Sequence, residues 1–170
     1  MTWPLVAVIV IVALFFTVFF GAPYVPARMK DLRQALDDLY ELSFDDTVLD
    51  LGSGDGRVLR EAARRGATAV GYELHPLLVG ISRWLSRRHT SVTIRHGNYL
   101  HMKFPDATTV VYVFGDSRDI KKITRLIERE ATRLQRELRV ISYGFALPGY
   151  TRIKEAGAHN LYRVAPLQVK

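Results

Sequence analysis

Val48-Leu49-Asp50-Leu51-Gly52-Ser53-Gly54-Asp55-Gly56-Arg57 reads as a buried strand that breaks into a glycine turn and restarts as a helix. Val48, Leu49 and Leu51 give the apolar run of a strand covered on both faces, and glycines at alternate positions let the backbone turn where side chains would collide with a ligand. Seventeen residues beyond Gly56, a second apolar run from Ala67 to Tyr72 ends in Glu73. A carboxylate at that strand tip is placed to accept hydrogen bonds from both hydroxyls of a ribose. The spacing G-x-G-x-G lacks the third glycine of G-x-G-x-x-G, where a pyrophosphate meets a helix N-terminus, and so favours S-adenosylmethionine over a dinucleotide. Asp50 points the same way, because a carboxylate there suits the cationic amino group of a methionine moiety and repels phosphate.

On either side of this stretch, strands alternate with helices. Thr47 to Leu51 is the first strand, and Val58, Leu59, Ala62 and Ala63 give the following helix its inner face until Gly66. Ala67 to Tyr72 is the second strand. Pro76 opens a helix whose packed stripe is expected to be Leu77, Leu78, Ile81, Trp84 and Leu85. Val92 to Arg95 and Thr108 to Phe114 are the third and fourth strands, Ile120 to Leu134 a long helix, and Arg139 to Tyr143 the fifth strand. Thr151 to Lys154 and Leu161 to Val164, on either side of Gly157, are close enough for a hairpin. The fold class predicted is α/β: a Rossmann-like, mostly parallel sheet with an antiparallel edge, ligand binding at the carboxyl ends of the strands.

The first part of the chain has a different character. Trp3 to Ala22 carries no charge, and twenty residues at about 1.5 Å each reach roughly 30 Å, the thickness of a bilayer hydrocarbon core. A cleaved signal peptide is disfavoured by the lack of Lys or Arg before Trp3 and by Phe20 in the cleavage box, and a core helix by the continuous apolar circumference. The organisation expected is a transmembrane anchor over 1–22, a proline-punctuated linker and amphipathic helix over 23–46, and a cofactor-binding domain over 47–170. Met29, Leu32, Leu36 and Leu39 mark that helix, from about Ala27 to Leu42, lying on the domain or the bilayer. Arg28, Lys30 and Arg33 follow the span, so a single-pass chain would hold its domain on the cytoplasmic side of the membrane.

The chain has 170 residues, a net charge of +7 and no cysteine. Disulfides and thiolate metal sites are excluded, and the length leaves room for one core rather than a second catalytic domain. Basic residues cluster at Arg83, Arg87, Arg88 and His89, at Lys121, Lys122 and Arg125, and at Arg129, Arg133, Arg136 and Arg139. Such a field fits anionic lipid or another acidic partner. Interleaved Glu128, Glu130 and Glu137 also allow a plain solvated helix face. A membrane tether argues against a polynucleotide, and no nucleic-acid partner is expected.

Methyl transfer from a sulfonium is an in-line displacement with a neutral leaving group, so the protein chiefly positions the acceptor, strips its water and keeps it unprotonated. No nucleophile, triad or metal is required, and the five histidines have no ligand-like spacing. The expected donor-binding set is Asp50, Gly52, Ser53, Gly54 and Glu73, joined by Asn98 at the adenine edge with Tyr99 or Leu100 flanking the ring. Phe114-Gly115-Asp116, at the end of the fourth strand, is expected to position the acceptor. Gly115 permits close approach and Asp116 can hold an ammonium, while Asp116 or Ser117 serves equally as a cap for the long helix. Tyr143, Phe145 and Tyr150 would wall a channel for an alkylamine or pack the core.

Pro23-Tyr24-Val25-Pro26-Ala27, the stretch Val48 to Arg57, Val70-Gly71-Tyr72-Glu73-Leu74-His75-Pro76, and Arg139-Val140-Ile141 leading to Phe145 and Pro148 together resemble the small membrane-anchored lysine methyltransferases. Mitochondrial members of that family modify the c-subunit of ATP synthase and the adenine nucleotide translocase. The resemblance implies a seven-strand methyltransferase fold, S-adenosylmethionine as donor, a lysine of a membrane protein as acceptor, and donor-binding roles for Asp50, Gly52, Gly54 and Glu73. The chain departs from the family pattern at Asn98, usually aspartate, at His75 before Pro76, at Leu100 in an aromatic position, and at Asp116-Ser117 in place of apolar-Pro. Two other readings stay open: a methyltransferase for a lipid or small membrane-soluble acceptor, and a non-catalytic donor-binding module.

Overall fold

The computed structural model describes residues 3–19, 29–114 and 119–167. Helix α1 (Trp3–Phe19) and helix α2 (Met29–Asp38) precede an alternating series: β1 (Thr47–Leu51), α3 (Arg57–Arg64), β2 (Thr68–Glu73), α4 (Pro76–Ser86), β3 (Val92–His96), β4 (Val110–Phe114), α5 (Ile120–Leu134) and β5 (Leu138–Tyr143). A hairpin of β6 (Lys154–Ala156) and β7 (His159–Val164) completes the chain. The seven strands form one sheet in the order β3-β2-β1-β4-β5-β7-β6. Strands β1 to β5 pair in parallel, and β7 enters antiparallel between β5 and β6. This is the Rossmann-like sheet with an antiparallel edge that the strand–helix alternation predicts.

The sheet separates two cores. Val48, Ala69, Val110, Tyr112 and Ile141 face one way, against α2 and α3, while Leu49, Leu51, Val70, Val111 and Val113 face α5. Each fully buried aliphatic side chain contributes about 1.5–3 kcal/mol, so the two-sided burial of β1 and β4 is what fixes the sheet's register. Helix α2 lies on the domain through Leu32, Ala35 and Leu36. It is pinned to α3 by Arg65–Asp37 at 2.7 Å and by Arg33 reaching the buried Glu61 at 3.4 Å.

Two expectations need correction. The apolar segment over 1–22 is expected to span a bilayer; Trp3–Phe19 of it form α1, and the rest lies outside the described residues. Among the described residues no helix is long and apolar enough to cross a membrane. The second correction concerns α4. Its inner face is Val79, Ser82 and Ser86, while Leu77, Ile81, Trp84 and Leu85 are exposed. Small residues win the inner face because α4 passes over the glycine turn: a Cβ built on Gly56 would lie 2.2 Å from Ser82 Oγ. Part of the basic field is structural as well. On α5, Glu130 is buried and takes Arg133 at 2.8 Å and Arg129 at 3.3 Å, and Arg139 pairs with Glu137.

Candidate active site

The glycine turn is built from left-handed residues that only glycine adopts cheaply: φ is +88° at Gly52, +53° at Gly54 and +77° at Gly56. It wraps the tip of β2. Gly52 and Ser53 donate their N–H groups to the Tyr72 carbonyl at 2.9 and 3.0 Å, and Gly54 donates to Glu73 Oε2 at 2.8 Å. Asp55 accepts from the Arg57 N–H at 3.1 Å and pairs with Arg57 and Arg60. Burial works against its charge, but Arg57 and Arg60 outweigh it and hold Asp55 below the usual carboxylate range. The first turn of α3 is thereby locked to the loop.

Asp50 and Glu73 lie on the same face of the sheet. Asp50 is the register partner of Gly71 on β2 and of Tyr112 on β4, and Glu73 lies two residues beyond Gly71 at the strand end. Gly71 has no space for a side chain, since a Cβ there would lie 2.5 Å from Ser53 Oγ and Leu59 Cδ1. Gly52 differs: a Cβ there would meet nothing within 4 Å, so the turn opens onto space at that point. Burial pushes the Asp50 carboxyl well above the usual carboxylate range, and the negative charges of Glu73 and Asp55 push it further. A cation set beside a buried carboxyl in this position favours its charged form.

Glu73 is already engaged. Oε2 accepts from Gly54 and Oε1 accepts from the His75 N–H at 2.7 Å. Each carboxylate oxygen has a second lone pair, so the two backbone bonds orient the group and leave capacity for two hydroxyl donors. Ser53 is buried and its Oγ, packed over Gly71, has no hydrogen-bond partner. Asn98 and Tyr99 follow β3. The Asn98 side chain accepts from the Leu100 N–H at 3.0 Å and caps the short 3-10 turn Tyr99–His101, so its amide oxygen is committed locally. Burial raises the Tyr99 hydroxyl, and its ring packs on the core beneath α5.

Phe114 ends β4 on the face shared by Asp50. It stacks on Tyr143 with ring centroids 4.9 Å apart, and Tyr143 meets His159 edge-on at 4.7 Å. Behind them, the Tyr112 hydroxyl lies 3.0 Å from His159 Nε2. Burial, reinforced by the charge of Asp50, drives Tyr112 far above its ordinary value, and burial lowers His159, so the pair is a phenol and an imidazole held neutral by burial and joined by one hydrogen bond. Gly115 and Asp116, and Ser117 as a cap, lie outside the described residues. The aromatic trio Tyr143, Phe145 and Tyr150 is not brought together. Tyr143 packs with Phe114, whereas Phe145 and Tyr150 pack on the opposite core, and Tyr150, bonded to Glu128 at 3.0 Å, is pushed up to about 12 by burial and that carboxylate. The sequence reading missed Tyr112 and His159. Their one signal was parity: Tyr112 shares the sheet face of Val110 and Phe114.

The residues suit S-adenosylmethionine on three observations made in this structure: open space at Gly52, a buried carboxyl at Asp50 whose charged form a cation would favour, and a carboxylate at Glu73 held with acceptor capacity in hand. Comparison with known proteins agrees with this assignment. Residues 50–154 match the family model described as the ANTKMT methyltransferase domain. The human ATP synthase c-subunit lysine N-methyltransferase is 35% identical over 132 residues, covering 76% of this chain and 54% of that protein. The adenine nucleotide translocase lysine N-methyltransferase of Mus musculus is 32% identical over 143 residues, covering 79% and 58%. A protein-lysine N-methyltransferase of Saccharolobus islandicus is 30% identical over 139 residues, covering 75% and 80%. The chain thus spans about half the length of the ATP synthase c-subunit methyltransferases it matches. Among solved structures, an RNA methyltransferase from Salinibacter ruber in complex with S-adenosyl-L-homocysteine superposes with a TM-score of 0.71 at 24% identity, over 86% of this chain and 97% of that one, a likeness of fold. With the matched span running from Asp50 at the tip of β1 to Lys154 at the start of β6, this chain belongs to the ANTKMT methyltransferase domain family.

Proposed function

We propose that this chain is an S-adenosylmethionine-dependent methyltransferase that acts on a lysine side chain of a membrane protein. The observation that carries the reading is the pair Asp50 and Glu73, on one sheet face at adjacent strand tips beside the open glycine turn. S-adenosylmethionine, when bound, supplies a methyl group on a sulfonium and departs as a neutral thioether. Asp50 would face the cationic methionine end, which favours its charged form. Glu73, oriented by Gly54 and His75, accepts the ribose hydroxyls. Gly52 keeps the approach clear, Gly54 orients Glu73 through its N–H, and Ser53 Oγ over Gly71 is a spare donor. Asn98 and Tyr99 flank the base, Asn98 shaping the turn through its bond to Leu100.

On the acceptor side, Phe114 and Tyr143 form an aromatic floor, with Tyr112 and His159 bonded to each other behind it. An alkylamine seated there loses water and meets ring faces. Phe114, followed in sequence by Gly115 and Asp116, would position the lysine nitrogen for transfer of the methyl group. The membrane-protein acceptor is supported by the names of the relatives, which point to a component of ATP synthase and to a nucleotide translocase, and by the exposed apolar surface of α1.

The test is transfer of methyl label from S-adenosylmethionine to a membrane fraction, followed by acid hydrolysis and amino-acid separation. Label in methyl-lysine that disappears in Asp50→Asn supports the proposal. Label confined to the organic extract would assign a lipid or small acceptor instead. Donor binding without transfer to any fraction would make the chain a sensor of the donor.

A further inference from the structure

Between Glu73 and Asp106 the chain contains no acidic residue, yet it carries Arg83, Arg87, Arg88, Arg95 and Lys103, together with four of the five histidines. The net charge of the whole molecule is +7, so this one stretch, α4 and β3 with their loops, accounts for most of the excess. The same stretch holds the apolar residues that the fold leaves outside. Leu77, Ile81, Trp84 and Leu85 follow the helical repeat i, i+4, i+7, i+8, and they are 53%, 39%, 63% and 36% exposed; Leu74, just before the helix, is 50% exposed. A contiguous stripe of this kind on the outside of a domain marks an interaction surface rather than a scatter of surface apolar side chains.

The arginines are arranged around the stripe. Arg87 lies over the Trp84 ring at 4.7 Å and donates to the Trp84 carbonyl. Arg83 donates through Nε and Nη2 to the Ile94 carbonyl on β3, which fixes its guanidinium at the helix–strand seam. Each guanidinium has five N–H donors and spends only part of them on these backbone bonds. Between α4 and β3 runs an open groove of about 330 Å³ lined by Arg83, Ser86, Arg87, His89, Thr90 and Thr93. Ser86 is buried there and its Oγ has no hydrogen-bond partner. Two guanidinium groups, an imidazole and hydroxyls converging on one groove are the donor set for a phosphate ester.

We propose that the outward face of α4 docks on a bilayer containing anionic phospholipid, with Leu77, Ile81, Trp84 and Leu85 entering the interface and the Arg83–Arg87 groove receiving a lipid phosphate. Charge complementarity selects this occupant: an acid-free stretch of chain with apolar residues on one helix face and arginines at its margin is the pattern of an interfacial helix, and each cation near an anionic leaflet adds to its attraction. Trp84 is suited to the headgroup level, where one edge of the ring is apolar and the other meets water and charge. Because α4 follows directly from the tip of β2, with His75 bonded to Glu73, the start of the docked helix adjoins the strand end that carries Glu73. Docking of this kind does not require that the site bind a donor, so the two are separately testable.

The full chain carrying Trp3→Phe retains Trp84 as its one indole. It is titrated with vesicles of phosphatidylcholine alone and of phosphatidylcholine mixed with phosphatidylglycerol. Docking predicts a blue shift of Trp84 emission on the mixed vesicles that is absent or much weaker on phosphatidylcholine, and strongest quenching by lipids brominated at shallow depth, about 5–10 Å into the interface. Arg87→Ala with Arg88→Ala raises the anionic lipid needed for half the shift about thirtyfold. Three results would overturn the proposal: Trp84 emission unmoved while the chain sediments with vesicles, meaning that α1 alone holds it; equal shifts on both vesicle types; or a concentration-dependent shift without lipid, meaning that the stripe pairs two copies of the chain.

Discussion

Helices α4 and α5 cover opposite faces of the same sheet and are written with the same materials, an apolar stripe and a set of arginines, yet they use them in opposite ways. Helix α5 turns Ile120, Ile123, Leu126 and Ile127 inward, and its buried Glu130 gathers Arg133 and the Phe104 N–H, the latter at 3.0 Å. Helix α4 turns Val79, Ser82 and Ser86 inward and leaves its stripe and its arginines outside. The difference lies in what each helix must cover. The sheet under α5 offers Val111 and Val113, broad apolar surface that large side chains fill, whereas α4 passes the glycine turn, where Gly56 admits only a small residue opposite. Amphipathic pattern states that a helix has two faces; the neighbouring surface decides which one is inside.

The largest effect is expected in the packed layer under α5. Ile127→Ala should cost about 4 kcal/mol, as a full-size cavity under a packed helix, measured by urea denaturation. Next in size is Gly56→Ala, where a side chain meets both a left-handed φ of +77° and Ser82 Oγ; a loss of about 2–3 kcal/mol is expected, with donor affinity falling alongside because the turn is displaced. If Gly56→Ala is neutral, the close approach of α4 to the turn is not what sets its inner face. Glu130→Ala should cost about 2 kcal/mol, since it strands the buried Phe104 N–H and releases Arg133.

Smaller effects separate a packed region from a functional one. Asp50 holds its proton in the folded chain to a higher pH than in the unfolded chain. The unfolded state therefore ionises first, and stability falls as pH rises from the ordinary carboxylate range to the raised value. Asp50→Asn removes that dependence and should stabilise the ligand-free protein by about 1 kcal/mol near neutral pH, read as a flatter profile of unfolding midpoint against pH. Ile81→Ala on α4 should change stability by less than about 0.5 kcal/mol, in contrast to its counterpart on α5. A large loss there would mean that the stripe is packed after all.

Much of this architecture is legible in the residues. The alternation of short apolar runs with helical repeats gives five parallel strands, and Gly157 marks the turn of the closing hairpin, because both signals are local. The strand tips that carry Asp50 and Glu73 are legible for the same reason: strand, turn and second strand follow within one short stretch. What sequence hides is long-range. Tyr112 and His159 are 47 residues apart and meet only because β7 inserts beside β5. Phe145 and Tyr150 lie near Tyr143 in sequence but fall on the other side of the sheet. Asn98 is polar in the right place for a base edge, yet its nearest partner is the Leu100 N–H two residues on. Composition likewise marks an apolar segment from Trp3, whose described part is helix α1.

Donor recognition turns on Asp50 acting as a carboxyl that a cationic ligand ionises. Isothermal titration of S-adenosylmethionine into the full chain, run near neutral pH in buffers of different ionisation enthalpy, measures affinity and proton transfer together. The prediction is binding accompanied by release of part of one proton, with Asp50→Asn weakening affinity at least about tenfold and abolishing the release. Binding of equal strength and equal proton count in the parent and in Asp50→Asn would contradict it, as would no binding by the parent at all.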